Sequence, residues 1–201
     1  MSAGSQVGDV AVVIPARNEA DRIRATVAAA AGLAGVGLVV VVDDGSADGT
    51  GAIARGAGTV VVRHARNRGK AAAMQTGAGA VSLLDQRERR EHPRHLLFLD
   101  ADLAESAAHA GPLTDPVVAG DADMTIAVFT TTVKLGGHGL VVGLSGAGIH
   151  RAVGWRPVQP LNGQRCLTRA AFEAARPLAR GWGWRPRSLS TCCAGASGSP
   201  R

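Results

Sequence analysis

Three uninterrupted apolar runs, each breaking off at the residues a binding site would need, constrain this chain most. Val10–Ile14 (VAVVI) stops at Pro15, Leu38–Val42 (LVVVV) runs into Asp43-Asp44, and Leu96–Leu99 (LLFL) runs into Asp100-Ala101-Asp102. A strand wetted on one face alternates apolar and polar side chains. One that is apolar at every position is covered on both faces, as parallel strands between helices are. Ala-rich stretches supply those helices. Glu19–Ala31 places Ile23, Val27 and Ala30 on one face, a helix is expected from Thr50 to Arg55, and Lys70–Leu84 forms another. Thr59–Val62 and Met124–Phe129 read as further strands. The alternation predicts an α/β three-layer sandwich with a mainly parallel central sheet.

With 201 residues the chain is long enough for one such domain. The net charge of +6 and a pI near 10.5 favour phosphate-bearing partners. Aromatics make up 3% and Tyr is absent, which removes the stacking platforms of single-strand binders, so no nucleic-acid partner is expected. Three Cys without metal-ligand spacing argue against a disulfide scaffold or a zinc site. The start of the chain has no signal-peptide pattern, and the longest apolar run, Val36–Val42, is far shorter than the roughly 20 residues of a bilayer span. A cytoplasmic protein without a transmembrane segment is the expectation. Asp85–His95 (DQRERREHPRH) reads as a solvated connector, and Lys134–Ile149 shows no clear period.

Chemistry is expected where strands end, because open α/β sheets bind ligands outside their carboxyl edge. In VVIPARNEA, Pro15 ends the strand and Arg17, Asn18 and Glu19 follow; taken alone this is a turn with Asn18 capping the helix. In VVVVDDGSADGT two adjacent carboxylates repel each other, and Asp44 is suited to accept hydrogen bonds from a base or ribose, while Asp48 makes an Asx-turn at the next helix. In NRGKAAAMQTGAGA, Lys70 stands at a helix N-terminus, a place for anions. The pattern is not a P-loop, and Gly77–Ala80 (GAGA) reads as close helix–sheet packing. In LLFLDADLAES the carboxylates of Asp100 and Asp102, two apart at a strand end, suit Mg²⁺ or Mn²⁺ on a diphosphate. Asp121 and Asp123 read as solvent-exposed, and His138 as incidental.

Taken in order, VVIPARNEA, VVDDGSADGT, NRGKAAAMQTGA and LFLDADL resemble the family-2 glycosyltransferases of the GT-A fold. The likeness is greatest to bacterial relatives of glucosyl-3-phosphoglycerate synthase and dolichyl-phosphate sugar synthases. The later stretch QPLNGQRCLTRAAFEAARPLARGWG resembles their acceptor-side segment. The resemblance spans residues 8–183 and implies a GT-A domain there, a Rossmann-like nucleotide-binding sheet joined to a smaller acceptor part. It implies that Pro15, Arg17, Glu19, Asp44, Lys70, Asp100 and Ala101 bind a nucleotide-diphospho-sugar, that Asp102 ligates Mg²⁺ or Mn²⁺, and that Gly163, Gln164 and Arg165 form the acceptor loop. It implies inverting, metal-assisted transfer to a small-molecule or lipid-phosphate acceptor; peripheral membrane contact, general base and oligomeric state stay open. The alternatives are a sugar-phosphate nucleotidyltransferase and a nucleotide-binding remnant without transfer activity.

Relatives continue past the Gly-Trp-Gly with a Glu-containing helix, and this chain does not. Arg185–Arg201 holds three Arg, four Ser and two Cys, with Leu189 its only sizeable aliphatic residue. Read one base earlier, one choice of codons for the same segment gives Val-Glu-Ala-Ala-Leu-Thr-Val-Asp-Leu-Leu-Arg-Arg-Gly, an amphipathic helix with acids early and Arg late. The expectation is that residues 184–201 are a disordered or out-of-frame tail and that the domain is incomplete at this end.

Overall fold

The computed structural model of the protein describes residues 8–128 and 163–176. The readings for Lys134–Ile149, His138, Phe129 and 184–201 lie outside them. Six strands form one sheet in the order β3-β2-β1-β4-β6-β5: β1 Val10–Ala16, β2 Val36–Asp43, β3 Val60–Arg63, β4 His95–Phe98, β5 Met124–Ile126 and β6 Arg165–Leu167. β1 is parallel to both β2 and β4, and β2 to β3, whereas β6 runs antiparallel to β4 and to β5. The helices are α1 Ile23–Ala31, α2 Thr50–Gly56, α3 Lys70–Arg87, α4 Gly111–Val118 and α5 Arg169–Ala174, with a 3₁₀ segment Ala104–Ala110 before α4.

The unbroken apolar runs are the reason the sheet has two dry faces. Along β1, Val10, Val12 and Ile14 point into one layer, which also holds Ile23, Val27 and Ala30 of α1 and Ala107 and Val117 beyond β4. Ala11 and Val13 point the other way, onto Ala73, Met74 and Val81 of α3 and Phe172 of α5. Phe98 of β4 stacks on Phe172 with ring centroids 5.6 Å apart, which seats α5 on this face. This is the expected three-layer sandwich. Each fully buried Val or Ile in it is worth about 1.5–3 kcal/mol, and Cys166 of β6 lies in the same core, its thiol pushed up to about 12 by burial.

Several local expectations are corrected. α1 starts at Ile23, after a turn in which Glu19 O accepts from the N–H of Arg22 and Ile23. The fifth strand ends at Ile126, and β6, made from the segment read as an acceptor loop, inserts between it and β4. Asp85–His95 is solvated over Gln86–Arg89 and Glu91–Pro93, as expected, but not at Asp85 and Arg94. Asp85 and Arg94 are buried: Arg94 donates to Asp85 Oδ1 at 2.6 Å and to Gly8 O at 3.2 Å and also binds Glu88, while Arg169 of α5 reaches Asp85 Oδ2 at 3.2 Å. The charge run hid this because two of its members meet partners distant in sequence. Asp121 and Asp123 are exposed, as expected.

The GAGA reading separates into two cases. A Cβ on Gly77 would run into Val13 Cγ1 and lie 3.1 Å from Val42 Cγ2, whereas nothing stands within 4 Å of one on Gly79. Gly77→Ala is therefore expected to destabilise the fold by about 1–3 kcal/mol through overpacking. Gly79→Ala should be neutral or stabilising by up to about 1 kcal/mol through helix propensity. Urea unfolding of the two variants checks the contrast.

Candidate functional site

The carboxyl ends of β1, β2 and β4 lie at the point where strand order reverses, and the loops leaving them are tied to one another. After β1, Asn18 adopts a positive φ of 55°. Its N–H donates to Ser46 Oγ at 3.1 Å, and its Oδ1 accepts from Ala47 N at 2.9 Å. Asn18 thus staples the first loop to the second and does not cap α1, as the sequence implied. Glu19 N donates to Thr50 Oγ1 at 2.8 Å and Ala20 N to Asp48 Oδ2 at 3.2 Å. Asp48 Oδ1 accepts from Thr50 N at 2.9 Å, the Asx-turn expected at the start of α2.

The two adjacent acids escape mutual repulsion by taking separate donors. Asp43, the last residue of β2, accepts from Ser46 N at 2.8 Å and faces Arg63 Nε at 3.4 Å. Asp44 is buried and accepts from His64 Nδ1 at 2.7 Å, Arg68 N at 2.8 Å and Gly69 N at 2.8 Å. The other ring nitrogen of His64 meets Thr76 Oγ1 at 2.9 Å, which links β2, the end of β3 and α3. Gly45, at φ +72°, lets this turn touch the next loop: a Cβ there would stand 2.6 Å from the carbonyl carbon of Arg66.

Lys70 follows Gly69 directly and forms an ion pair with Asp100 at the end of β4. The backbone of Gly163 lies over that pair, since a Cβ on it would stand 2.5 Å from Lys70 Nζ and 3.0 Å from Asp100 Oδ1. A cleft of about 470 Å³ opens here. Its walls include Pro15, Arg17, Glu19, Asp44, Lys70, Asp100, Ala101 and Asp102, so all eight donor-side and metal candidates from the sequence meet in one place. Gln164 is buried and faces a neighbouring cavity of about 610 Å³ with Leu103, Leu113 and Ile126. Arg165 is not in a loop; it is the first residue of β6 and fully buried, paired across the sheet with Phe98 and Ile126.

The residues present fit a hard divalent cation that arrives with its ligand. Asp100 and Asp102 supply carboxylate oxygens at one cleft wall, and Asp102 is exposed to it. Among the described residues no three His, Cys, Asp or Glu side chains are gathered closely enough to hold a metal. Most of a six-oxygen shell would then have to come from phosphate and water, the usual condition for Mg²⁺ on a diphosphate.

Sequence reading missed Asn67, His64 and Thr76. Asn67 lines the cleft, and its Oδ1 accepts from Gly69 N at 2.9 Å, an Asx-turn that the spacing Asn-x-Gly could have disclosed. His64 carried no local signal, because its partners lie 20 and 12 residues away. Burial alone would raise the Asp44 pKa, but the hydrogen bonds from His64, Arg68 and Gly69, together with the charge on His64, bring it below its ordinary 3.8. Asp44 thus contributes stability in full above that value and loses the contribution as pH falls through the depressed folded-state value. Asp44→Asn is expected to cost about 1–3 kcal/mol at neutral pH and to flatten the acid limb of the stability curve below pH 3.8. Urea unfolding as a function of pH measures both.

Comparison with known proteins agrees with this geometry. Residues 11–136 match the model of glycosyl transferase family 2. Glucosyl-3-phosphoglycerate synthase from Mycobacterium tuberculosis, in complex with phosphoglyceric acid, shares the fold with a TM-score of 0.73 at 23% identity, over 94% of this chain and 66% of that one. The same enzyme with Mn²⁺, UDP-glucose and phosphoglyceric acid gives 0.69 at 25% identity, over 94% and 66%. An uncharacterized protein of Methanocaldococcus jannaschii is 34% identical over 118 residues, 59% of this chain and 45% of the relative. The chain therefore spans 66% of the length of these enzyme chains and 45% of that of the archaeal relative. By the match over residues 11–136, on a GT-A-type sandwich with its strand-end acids in one cleft, the chain belongs to glycosyl transferase family 2.

Proposed function

We propose that this protein moves a sugar from a nucleotide-diphospho-sugar to an acceptor bearing a phosphate or hydroxyl, by inverting displacement at the anomeric carbon. The observation that carries the reading is the convergence of Lys70, Asp100 and Asp102 with Pro15, Arg17 and Glu19 in the cleft at the carboxyl ends of β1 and β4. In this reading Pro15, Arg17, Glu19 and Asp44 flank the nucleoside, and Lys70, Asp100 and Ala101 lie along the diphosphate and sugar. Asp102, with Asp100 beside it, would hold Mg²⁺ or Mn²⁺, whose chemistry is to neutralise the leaving diphosphate as a Lewis acid. The M. tuberculosis enzyme captured with Mn²⁺, UDP-glucose and phosphoglyceric acid supports a metal-bound donor and a small phosphate-bearing acceptor. A lipid phosphate would present the same reacting group.

The chain's own residues divide the work by charge. The Lys70 ammonium is a compact point charge suited to phosphate, and its partner Asp100 keeps it oriented in the free protein. A phosphate acceptor is already ionised and needs no strong base, whereas a hydroxyl acceptor requires one. Gly163, packed on Lys70 and Asp100, is the point where the acceptor-side segment meets the donor site, and Gln164 faces the adjoining cavity. No helix among the described residues is long and apolar enough to cross a membrane.

A thermal-shift screen of UDP-, GDP- and dTDP-sugars with and without Mn²⁺ tests the reading. At 100 times its dissociation constant a ligand adds about 2.7 kcal/mol of stability. At least one donor should stabilise the chain in a metal-dependent way, and Asp102→Ala should abolish the metal-dependent part. An equally large shift in that variant would remove Asp102 from the metal site. Turnover should release nucleoside diphosphate; release of pyrophosphate would instead identify a nucleotidyltransferase.

A further inference from the structure

Thr26 is a hydroxyl in a place where packing alone would put an aliphatic residue. It is fully buried on α1, on the face that carries Ile23, Val27 and Ala30 into the core. A buried hydroxyl needs partners, and those of Thr26 lie outside its own helix. Its Oγ1 donates to Ala101 O at 2.8 Å, with Arg22 O more distant at 3.2 Å, and accepts from Ala104 N at 2.8 Å. One oxygen therefore clamps the backbone on both sides of Asp102. Ala104, the far end of the clamp, holds a φ of +49°, a conformation that a non-glycine residue keeps only when its surroundings enforce it.

We propose that Thr26 is a positioning residue for the D-x-D turn: it fixes the backbone on either side of Asp102 so that this carboxylate is presented to a cation on the donor diphosphate. The inference rests on the reading of Asp102 as a metal ligand given above. Thr26 touches neither cleft nor ligand and acts only through the carbonyl of Ala101 and the N–H of Ala104. Removing the hydroxyl takes this partner from the buried Ala101 carbonyl and the half-buried Ala104 N–H, and the turn is then free to re-aim Asp102. The affinity of the cleft for the nucleoside itself, set by the loops after β1 and β2, should hardly change.

Calorimetric titration of the full chain with UDP, with and without Mn²⁺, isolates the effect as the ratio of the two dissociation constants. In Thr26→Val that ratio should shrink about tenfold or more, the usual loss when an outer-shell partner of a metal ligand is removed, while affinity for UDP alone is kept. Thr26→Ser, which retains the hydroxyl, should keep the wild-type ratio. A tether that merely holds the fold together would lower the melting temperature and leave the ratio intact; that result in Thr26→Val overturns the proposal. Equal loss in the Val and Ser variants also overturns it, because the methyl group and not the hydroxyl would then matter. Should Thr26→Val not fold, Thr26→Ala replaces it in the comparison, under the same criteria. A wild-type chain that binds UDP without any gain from Mn²⁺ fails at the earlier step, the assignment of Asp102, and takes this inference with it.

Discussion

The site depends on a buried carboxylate that has to be satisfied. Asp44 lies just past the end of a strand covered on both faces, and a charge there costs several kcal/mol unless donors surround it. It finds them in His64 at the end of β3 and in the N–H groups of Arg68 and Gly69. Those contacts fix the route by which the chain enters α3. Lys70 is the next residue, so the position of the cation paired with Asp100 follows from the hydrogen bonds of an acid just past another strand. Asp43 works in the same way for its own turn, through Ser46 N and Arg63.

The opposite edge of the sheet uses charge differently. Asp85, Arg94, Glu88 and Arg169 join the end of α3, the entry to β4 and the start of α5, and Arg90 binds Asp9 at 2.9 Å just before β1. Buried ion pairs add little net stability over apolar packing, yet losing one partner is costly because the other is left charged and unpaired. Their effect here is on geometry. Asp85 is shared by two arginines from different segments, which seats α5 on α3 and thereby sets where β6, two residues earlier, meets β4. His95, within this cluster, is pushed down in pKa by burial, partly countered by Asp9.

Because β6 runs antiparallel beside β4, the segment before it returns to the carboxyl edge where Asp100 stands. Gly163 then packs on the Lys70–Asp100 pair, while the next residue, Gln164, faces the neighbouring cavity. Consecutive residues thus meet different surroundings, Gly163 the ion pair and Gln164 the cavity. Thr26 stabilises the same region from below, through Ala101 and Ala104.

Local sequence marked out β1 to β5, helices α1 to α3 and the strand-end acids, because apolar periodicity, Pro15 and adjacent carboxylates are short-range signals that survive in any fold with buried parallel strands. The eight cleft candidates came from the likeness of the ordered motifs to family-2 glycosyltransferases, and the open α/β sheet brings them together at its carboxyl edge. Other features rest on partners far apart in the chain, and only the tertiary structure decided them. His64 is tied to Asp44 across 20 residues, Thr26 to Ala101 across 75 and Arg169 to Asp85 across 84. Arg165 belongs to the same group: the family resemblance implied a loop facing the acceptor, whereas strand pairing with Phe98 and Ile126 carries it into the core. A residue type reports the chemistry that a side chain can do, but the pairing of distant strands settles whether it does so in the cleft, beneath it or at the far edge of the sheet.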